Sequence, residues 1–283
     1  MVSVDDYGQF ETAWCPGCGN HAILKAVKKA LAGLGLAPHE VLVVTGIGQA
    51  AKAPLYMNCN MFTGLHGRSL SAATGARLAN PELTVLVESG DGCSYGEGGN
   101  HFLAALRRNV NLTLLAHDNQ IYGLTKGQAS PTTMQGMKTK AQPFGQPSMA
   151  FNPVAVAVAM QAGFVARGFS GETEHLAGLI QEAVRHKGFS LVDILQPCVS
   201  FNKVNTFGWY KERVYKLGPE HDPTDFGQAM ERAREFGERI PIGVLSRNDR
   251  PPLEANMPAL AQGPLARRGV DREALRRILQ SYA

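Results

Sequence analysis

Two short stretches carry side chains whose types and spacing can do chemistry. The first is "WCPGCGNH" (14–21), where Cys15 and Cys18 stand three positions apart, next to a tryptophan and ahead of a helical pattern. This spacing suits a redox disulfide, half of a zinc site or part of an iron–sulfur site, and spacing alone ranks zinc first. A thioredoxin-type redox pair must follow a central strand, and "VDDYGQFETA" shows no strand pattern. The second stretch is a pair, "ESGDGCSYGEGGN" (88–100) and "AHDNQIYGLT" (116–125), in which Asp91 and Asn119 lie 28 positions apart. A carboxylate and an amide oxygen converging on one crevice are the hard donors that magnesium takes. Gly90 and Gly92 let a ligand approach the backbone, and a helix starting near Glu97 turns its positive end toward a phosphate. No "GxxxxGK[ST]" occurs, which excludes a P-loop.

The elements that must hold these residues alternate in type. Strand patterns at 41–48, 83–89, 111–119, 164–169 and 189–195 are separated by helical patterns at 21–34, 69–80, 98–109, 153–162 and 172–186. The order predicts an α/β fold, a mostly parallel sheet covered by helices on both faces, with ligands bound beyond the carboxyl ends of the strands. Asp91 and Asn119 then leave the ends of two consecutive strands. Residues 119–152 have no clear period and are too long for an ordinary connection. After an α/β domain over 1–198, residues 199–283 hold seven prolines and one final short helix. They read as a C-terminal extension packing on the domain or on a partner subunit.

At 283 residues the chain can bury a full core, and 18% charged residues mark it as globular. Its apolar runs fall short of the roughly 20 residues that span a bilayer, and no signal peptide opens it. A cytoplasmic location without membrane attachment is the expectation. Five cysteines, an odd number, argue against a disulfide framework. The net charge of +4 is mild, and the arginines near the carboxyl end lack interleaved aromatics, which argues against nucleic acid. They suit a solvated surface or the docking of an acidic protein.

Gly-Asp-Gly followed at this separation by Asn-x-Ile resembles the thiamine-diphosphate motif. That resemblance implies Asp91, Asn119 and the carbonyl of Ile121 as ligands of Mg2+, with Asp118 standing where the motif commonly has a second Asn. From about Trp14 to Tyr215 the chain further resembles the β subunit of 2-oxoacid:ferredoxin oxidoreductases of the 2-oxoglutarate type. The carriers are "WCPGCGNHAI", "TGIGQAAK", "GLHGRSLSAATG", "ESGDGCSYGEGGNHF", "DNQIYGLTKGQASPT" and "LQPCVSFNKVNT". The resemblance implies thiamine diphosphate, Mg2+ and a 4Fe–4S cluster as cofactors. It implies oxidative decarboxylation of 2-oxoglutarate to succinyl-CoA, or the reverse carboxylation, with coenzyme A and ferredoxin as partners. An α subunit in an (αβ)2 assembly is implied as well, and it supplies the glutamate that the aminopyrimidine needs. The same chemistry on pyruvate or branched-chain 2-oxoacids is the nearest alternative, and a non-oxidative thiamine decarboxylase a more distant one.

Residue by residue, the resemblance turns Cys15 and Cys18 into cluster ligands and matches Cys198 to the family's late ligand. Many members carry a cysteine directly after "GIG", where this chain has Gln49; Cys59, ten residues on, is expected to supply the missing thiolate. Cys93 is expected to be a packing residue. Thr45, Gly46, Ile47 and Gly48 form a glycine turn expected to wall the cofactor pocket, together with Gly90, Gly92, Gly123, Leu124 and Thr125. His66 and Arg68 are expected to face the diphosphate and substrate, and Thr125 and Lys126 the substrate or coenzyme A. Lys52 is expected to pair with the distal carboxylate of 2-oxoglutarate, and Lys52 and His66 are the catalytic candidates.

Overall fold

The computed structural model describes residues 2–283. Out of the cysteine stretch the chain enters α1 (Gly19–Gly33), then β1 (Val41–Thr45), β2 (Asn60–Thr63), α2 (Ser69–Ala79) and β3 (Thr84–Gly90). It continues through α3 (Gly99–Arg108), β4 (Thr113–Asp118), α4 (Pro153–Ala159), β5 (Phe164–Phe169), α5 (Thr173–Arg185) and β6 (Ser190–Leu195). The last part holds α6 (Phe207–Lys211), β7 (Val214–Lys216), α7 (Phe226–Arg234), β8 (Ile240–Arg247) and α8 (Arg272–Gln280). Among the described residues the strands form one eight-stranded sheet in the order β2-β1-β3-β4-β6-β5-β8-β7. All neighbours run parallel except β5 and β8.

The burial follows from that arrangement. β4, β5 and β6 are buried along their whole length, as strands covered on both faces must be. On one face α1 turns Ile23, Leu24, Val27, Ala30 and Leu31, a helical stripe, onto the sheet and onto Leu176, Leu179 and Ile180 of α5. On the other face α2, α3, α4 and α7 bury Leu70, Phe102, Leu106, Val158 and Ala229. The helices begin where the side chains allow: Asn152 accepts from Ala155 N at 2.9 Å ahead of α4, with Pro153 at its first position.

This topology positions the chemistry. β3 and β4 are neighbours, so Asp91 and Asn119 leave adjacent strand ends on the same side of the sheet. β6 lies next to β4, so the segment from Gln196 to Cys198 leaves there too. The amino end of α1 packs on that segment: a Cβ on Gly19 would stand 2.6 Å from the Gln196 side chain. No helix among the described residues is long and apolar enough to cross a membrane.

Three strands lie outside the elements expected from the sequence. β2 is a four-residue edge strand with every side chain exposed, too short to give a pattern. β8 contains Pro241 and Gly243, residues that weaken a strand signal, and β7 is three residues long. The segment after residue 198 therefore does more than lie on the domain: it adds two strands to the sheet. Arg167 of β5 ties it down, its buried guanidinium donating to the carbonyls of Ala233 (3.3 Å), Glu235 (3.2 Å) and Pro241 (3.4 Å). Residues 119–152 have no helix and no strand beyond an isolated bridge between Tyr122 and Gln128.

Candidate cofactor and cysteine sites

Beyond β3 and β4 opens a cleft of about 190 Å3. Gly90, Asp91 and Gly92 form its floor, Asn119 and Ile121 one side, and Gly123, Leu124 and Thr125 its far wall. Ile47, Gly48 and His66 close the remaining side. Thr45 and Gly46 do not line it. Thr45 is buried and bonded to Thr63 Oγ1 at 3.2 Å, and Gly46 backs the cleft where a Cβ would stand 2.4 Å from Cys93 Sγ. Gly92 has to be glycine, because a Cβ there would lie 2.1 Å from the Tyr122 ring. His66 Nδ1 faces the Ile47 carbonyl at 3.2 Å and Nε2 faces Glu97 Oε2 at 2.9 Å. Both partners are acceptors, so both contacts are hydrogen bonds only when each ring nitrogen carries a proton. Gly67, at φ 76° and with a Cβ position 2.6 Å from the Glu97 carbonyl carbon, holds that loop against Glu97.

Lys52, Arg68 and Lys126 do not line the cleft. Each lies within two positions of a residue that does, and Arg68 Nη1 contacts His101 Nε2 at 2.9 Å. Ala50 and Tyr122, which the sequence did not single out, and Gln49, noted there only as the place of a missing cysteine, complete the site, and the Tyr122 hydroxyl donates to Glu97 at 3.0 Å. Cys93 also lines it, with its Sγ accepting from Gly67 N at 3.2 Å. Asn119 is held from both ends: its Oδ1 accepts from Ile121 N at 3.0 Å and its carbonyl from Asn202 Nδ2 at 3.1 Å.

Beneath the floor lies a buried acidic group. The Thr132 hydroxyl stands 2.7 Å from Asp91 Oδ2 and 2.7 Å from Asp118 Oδ1. A hydroxyl has one hydrogen, so both contacts are hydrogen bonds only if one carboxyl is protonated and donates back. Asp118 is that acid: burial, then the charges of Asp193 and Asp91, raise its pKa well above the usual carboxylate range. Burial pushes Asp91 to about 6, against hydrogen bonds from Ser130 and Thr132 that pull it down. Asp193, which accepts from the Tyr95 hydroxyl at 2.8 Å, is likewise raised to about 6 by burial, with the Arg167 charge opposing.

A neutral Asp118 has the shape and lack of charge of asparagine, which accounts for its place in this motif. A carboxyl whose folded pKa is raised contributes its stability below the unfolded value near 3.9 and loses it as pH rises toward the folded value. Asp118→Asn, which removes that loss, should change Tm little near pH 4 and raise it by roughly 3 °C or more at pH 8. Thermal melts across this range in the absence of cofactor check the sign, and a variant destabilised more at pH 8 than at pH 4 contradicts it.

A second cleft adjoins the first and shares Gln49, Asn119 and Gly123 with it. Cys15, Cys18 and Cys198 line it, together with Trp14 and Phe201. Cys15 Sγ accepts from Ser200 Oγ at 3.1 Å, and Cys18 Sγ from Gln196 Nε2 at 3.4 Å. Burial raises the Cys18 thiol, and the nearby Cys198 and Cys15 charges add to this. Trp14 Nε1 donates to the Gln49 carbonyl at 2.9 Å, fastening the cysteine stretch to the glycine turn after β1. All five cysteines are free, and no group of three among the described residues converges on a single ion.

Cys59 is not with them. It lies in a separate cavity with Phe10, His39 and Met57 and packs on the hydrophobic layer under α1. Burial pushes its thiol up to about 12. The expectation that it supplies the fourth thiolate fails because β2 starts at Asn60 and runs along the sheet edge, keeping residue 59 at the opposite end of that strand from the cleft.

The comparisons with known proteins agree with this geometry. Residues 43–194 match the family model described as thiamine pyrophosphate enzyme, C-terminal TPP binding domain. Residues 198–262 match the family model for the carboxy-terminal part of the pyruvate ferredoxin oxidoreductase beta chain. The chain is 42% identical over 278 residues to a 2-oxoacid:ferredoxin oxidoreductase subunit beta of Sulfolobus sp, covering 92% of this chain and 91% of that one. It is 43% identical over 192 residues to the 2-oxoglutarate oxidoreductase subunit KorB of Mycobacterium tuberculosis, covering 68% of this chain and 52% of that one. Among solved structures it is similar to a 2-oxoglutarate:ferredoxin oxidoreductase from Magnetococcus marinus with 2-oxoglutarate, coenzyme A and succinyl-CoA bound. The TM-score there is 0.91 at 36% identity, over 98% of this chain and 96% of that one.

Proposed function

The chain belongs to the family of 2-oxoacid:ferredoxin oxidoreductase β subunits, and from that premise we propose that it serves a 2-oxoglutarate:ferredoxin oxidoreductase. Together with an α subunit it converts 2-oxoglutarate and coenzyme A to succinyl-CoA, or runs the reverse carboxylation, with ferredoxin as the electron partner. The observation that carries the reading is the shared wall: a cleft for a metal-bound diphosphate and a cleft lined by thiols meet at Gln49, Asn119 and Gly123. A two-electron oxidation delivered to a one-electron carrier needs these two kinds of site side by side.

The donors fit the groups. Asp91, Asn119 and the Ile121 carbonyl would offer an all-oxygen set to Mg2+. The Asn119 backbone is fixed by Asn202 and its side chain by Ile121 N, so little ordering remains when the metal binds. Thiamine diphosphate, when bound, supplies the carbanion and the electron sink for decarboxylation. His66, gripped by Ile47 and Glu97, presents its ring to the cleft beside the apolar side chains of Ile47, Ile121 and Leu124. The soft thiols Cys15, Cys18 and Cys198 would hold an iron–sulfur cluster, which supplies one-electron steps. Ser200 and Gln196 donate to two of these sulfurs and orient them. The second carboxylate of 2-oxoglutarate calls for a cation at the mouth, and Lys52, Arg68 and Lys126 are the groups near enough in the chain.

Coenzyme A-dependent ferredoxin reduction by the assembled enzyme, measured across several 2-oxoacids, tests the reading. 2-Oxoglutarate should give the highest kcat/KM. Carbon dioxide release without ferredoxin reduction would instead make this a non-oxidative decarboxylase. Cys18→Ser and Cys198→Ser should each bleach the visible absorbance and abolish ferredoxin reduction, whereas Cys59→Ser should leave iron content and activity within about twofold. An iron analysis in which Cys59→Ser behaves like Cys198→Ser would return Cys59 to the ligand set.

A further inference from the structure

The thiol cleft has three cysteines and no fourth. Cys93 lines the neighbouring cleft, its Sγ engaged by Gly67 N, and Cys59 sits in a different cavity. A cubane with four irons presents four metal corners, so one corner must take another donor or none.

The polar side chains that line the cleft narrow the choice. Asn20 Oδ1 is occupied by His117 Nδ1 at 2.8 Å, and Asn119 is committed to the metal site of the neighbouring cleft under the reading above. Ser200 donates its hydroxyl to Cys15, and Gln196 gives its amide to Cys18. Two amide oxygens in the lining, Gln196 Oε1 and Gln49 Oε1, are buried without any hydrogen-bond partner. The Gln196 amide is already committed through its nitrogen to Cys18, whereas Gln49 lines both clefts. A buried amide oxygen without a donor carries a desolvation cost, which a bound cation offsets. Its backbone is held in place, since the Gln49 carbonyl accepts from Trp14 Nε1 at 2.9 Å.

We propose that the iron–sulfur cluster of this chain is held by the thiolates of Cys15, Cys18 and Cys198, with the Gln49 Oε1 as an oxygen ligand at the fourth corner. The proposal rests on the reading of the thiol cleft given above. A neutral amide oxygen binds iron more weakly than a thiolate, so the iron at this corner is labile. Ferricyanide, a one-electron oxidant, then removes one electron from the [4Fe–4S]2+ state, and the corner iron leaves as Fe2+, giving a [3Fe–4S]+ cluster. Gln49 lines the cofactor cleft as well, so its side chain stands between the two sites.

The test uses the assembled enzyme, purified without air. One equivalent of ferricyanide should lower the iron content from about four to about three per chain and produce the EPR signal of an oxidised three-iron cluster. Fe2+ with a reductant should restore the fourth iron. Gln49→Cys should resist the same treatment, and its added thiolate charge should lower the cluster's midpoint potential. Gln49→Ala should hold about three irons per chain from the outset. Wild-type enzyme that keeps its irons as firmly as Gln49→Cys overturns the proposal, as does conversion of the cluster to the three-iron form by Cys59→Ser. An enzyme that carries no iron with all three cysteines intact would instead defeat the underlying reading of the cleft.

Discussion

Asp91→Asn in the assembled enzyme should abolish thiamine-dependent turnover while leaving the chain folded and slightly more stable without cofactor. Asp91 is the one carboxylate among the residues that line the cofactor cleft, and Asn119 and the Ile121 carbonyl bring no charge. Losing the anionic ligand of a divalent cation removes several kcal/mol of charge stabilisation. Taking about 4 kcal/mol, apparent affinity for the metal-bound diphosphate falls roughly a thousandfold. The fold should survive because the wild-type carboxylate is held against its own burial, its pKa raised to about 6 in the company of Asp193. Below that value a proton competes with the metal, so wild-type affinity for the Mg2+ diphosphate should fall about tenfold per pH unit. Asp91→Asn has no such proton and should lose the slope along with the affinity. Calorimetric titration of the variant between pH 5 and pH 8 checks both, and a variant that binds with wild-type affinity would remove Asp91 from the metal site.

The parts of this molecule that could be read from its residues are those that repeat a period or end a strand. α1, β3, β4, β5 and β6 carry their periods within their own residues, and their boundaries fall within a few positions of those expected. Asp91 and Asn119 could be placed together because each follows an apolar strand directly, and consecutive parallel strands in such a sheet often pair. What stayed hidden depends on tertiary neighbours. Thr132 lies in a loop without period, and only the fold brings its hydroxyl between Asp91 and Asp118. Glu97 is one of several glutamates until the His66 loop closes on it. Cys59 shows the opposite hazard. Its place ten residues after Gln49 suggested a route back to the same strand end, but β2 carries the chain along the edge instead. Spacing along a chain measures distance only where the path between two residues is known.

This chain alone should turn over no 2-oxoacid at a measurable rate, and supplying its α subunit should restore activity by at least about a thousandfold. Formation of the reactive cofactor carbanion needs an acid on the aminopyrimidine ring. Apart from Asp91, the proposed metal ligand, no residue lining the cleft has a carboxyl group. Glu97, near by, is occupied by His66 and Tyr122. The missing acid has to come from outside the chain, and the surface around the cleft indicates where its carrier sits. Leu65, next to His66, is 76% exposed, and Phe62 on the edge strand β2 is 52% exposed. Ile47 and Leu124, both walls of the cleft, also reach solvent. An apolar rim beside an unpaired sheet edge is a surface built for a protein neighbour. Positioned acid–base catalysis contributes about a hundredfold to ten-thousandfold, and water exclusion by the neighbour adds to this. Phe62→Lys together with Leu65→Lys should therefore weaken assembly and lower activity at limiting α subunit, with recovery when that subunit is in excess. Steady carbon dioxide release by the isolated chain at the rate of the complex would mean that the acid lies within these 283 residues after all.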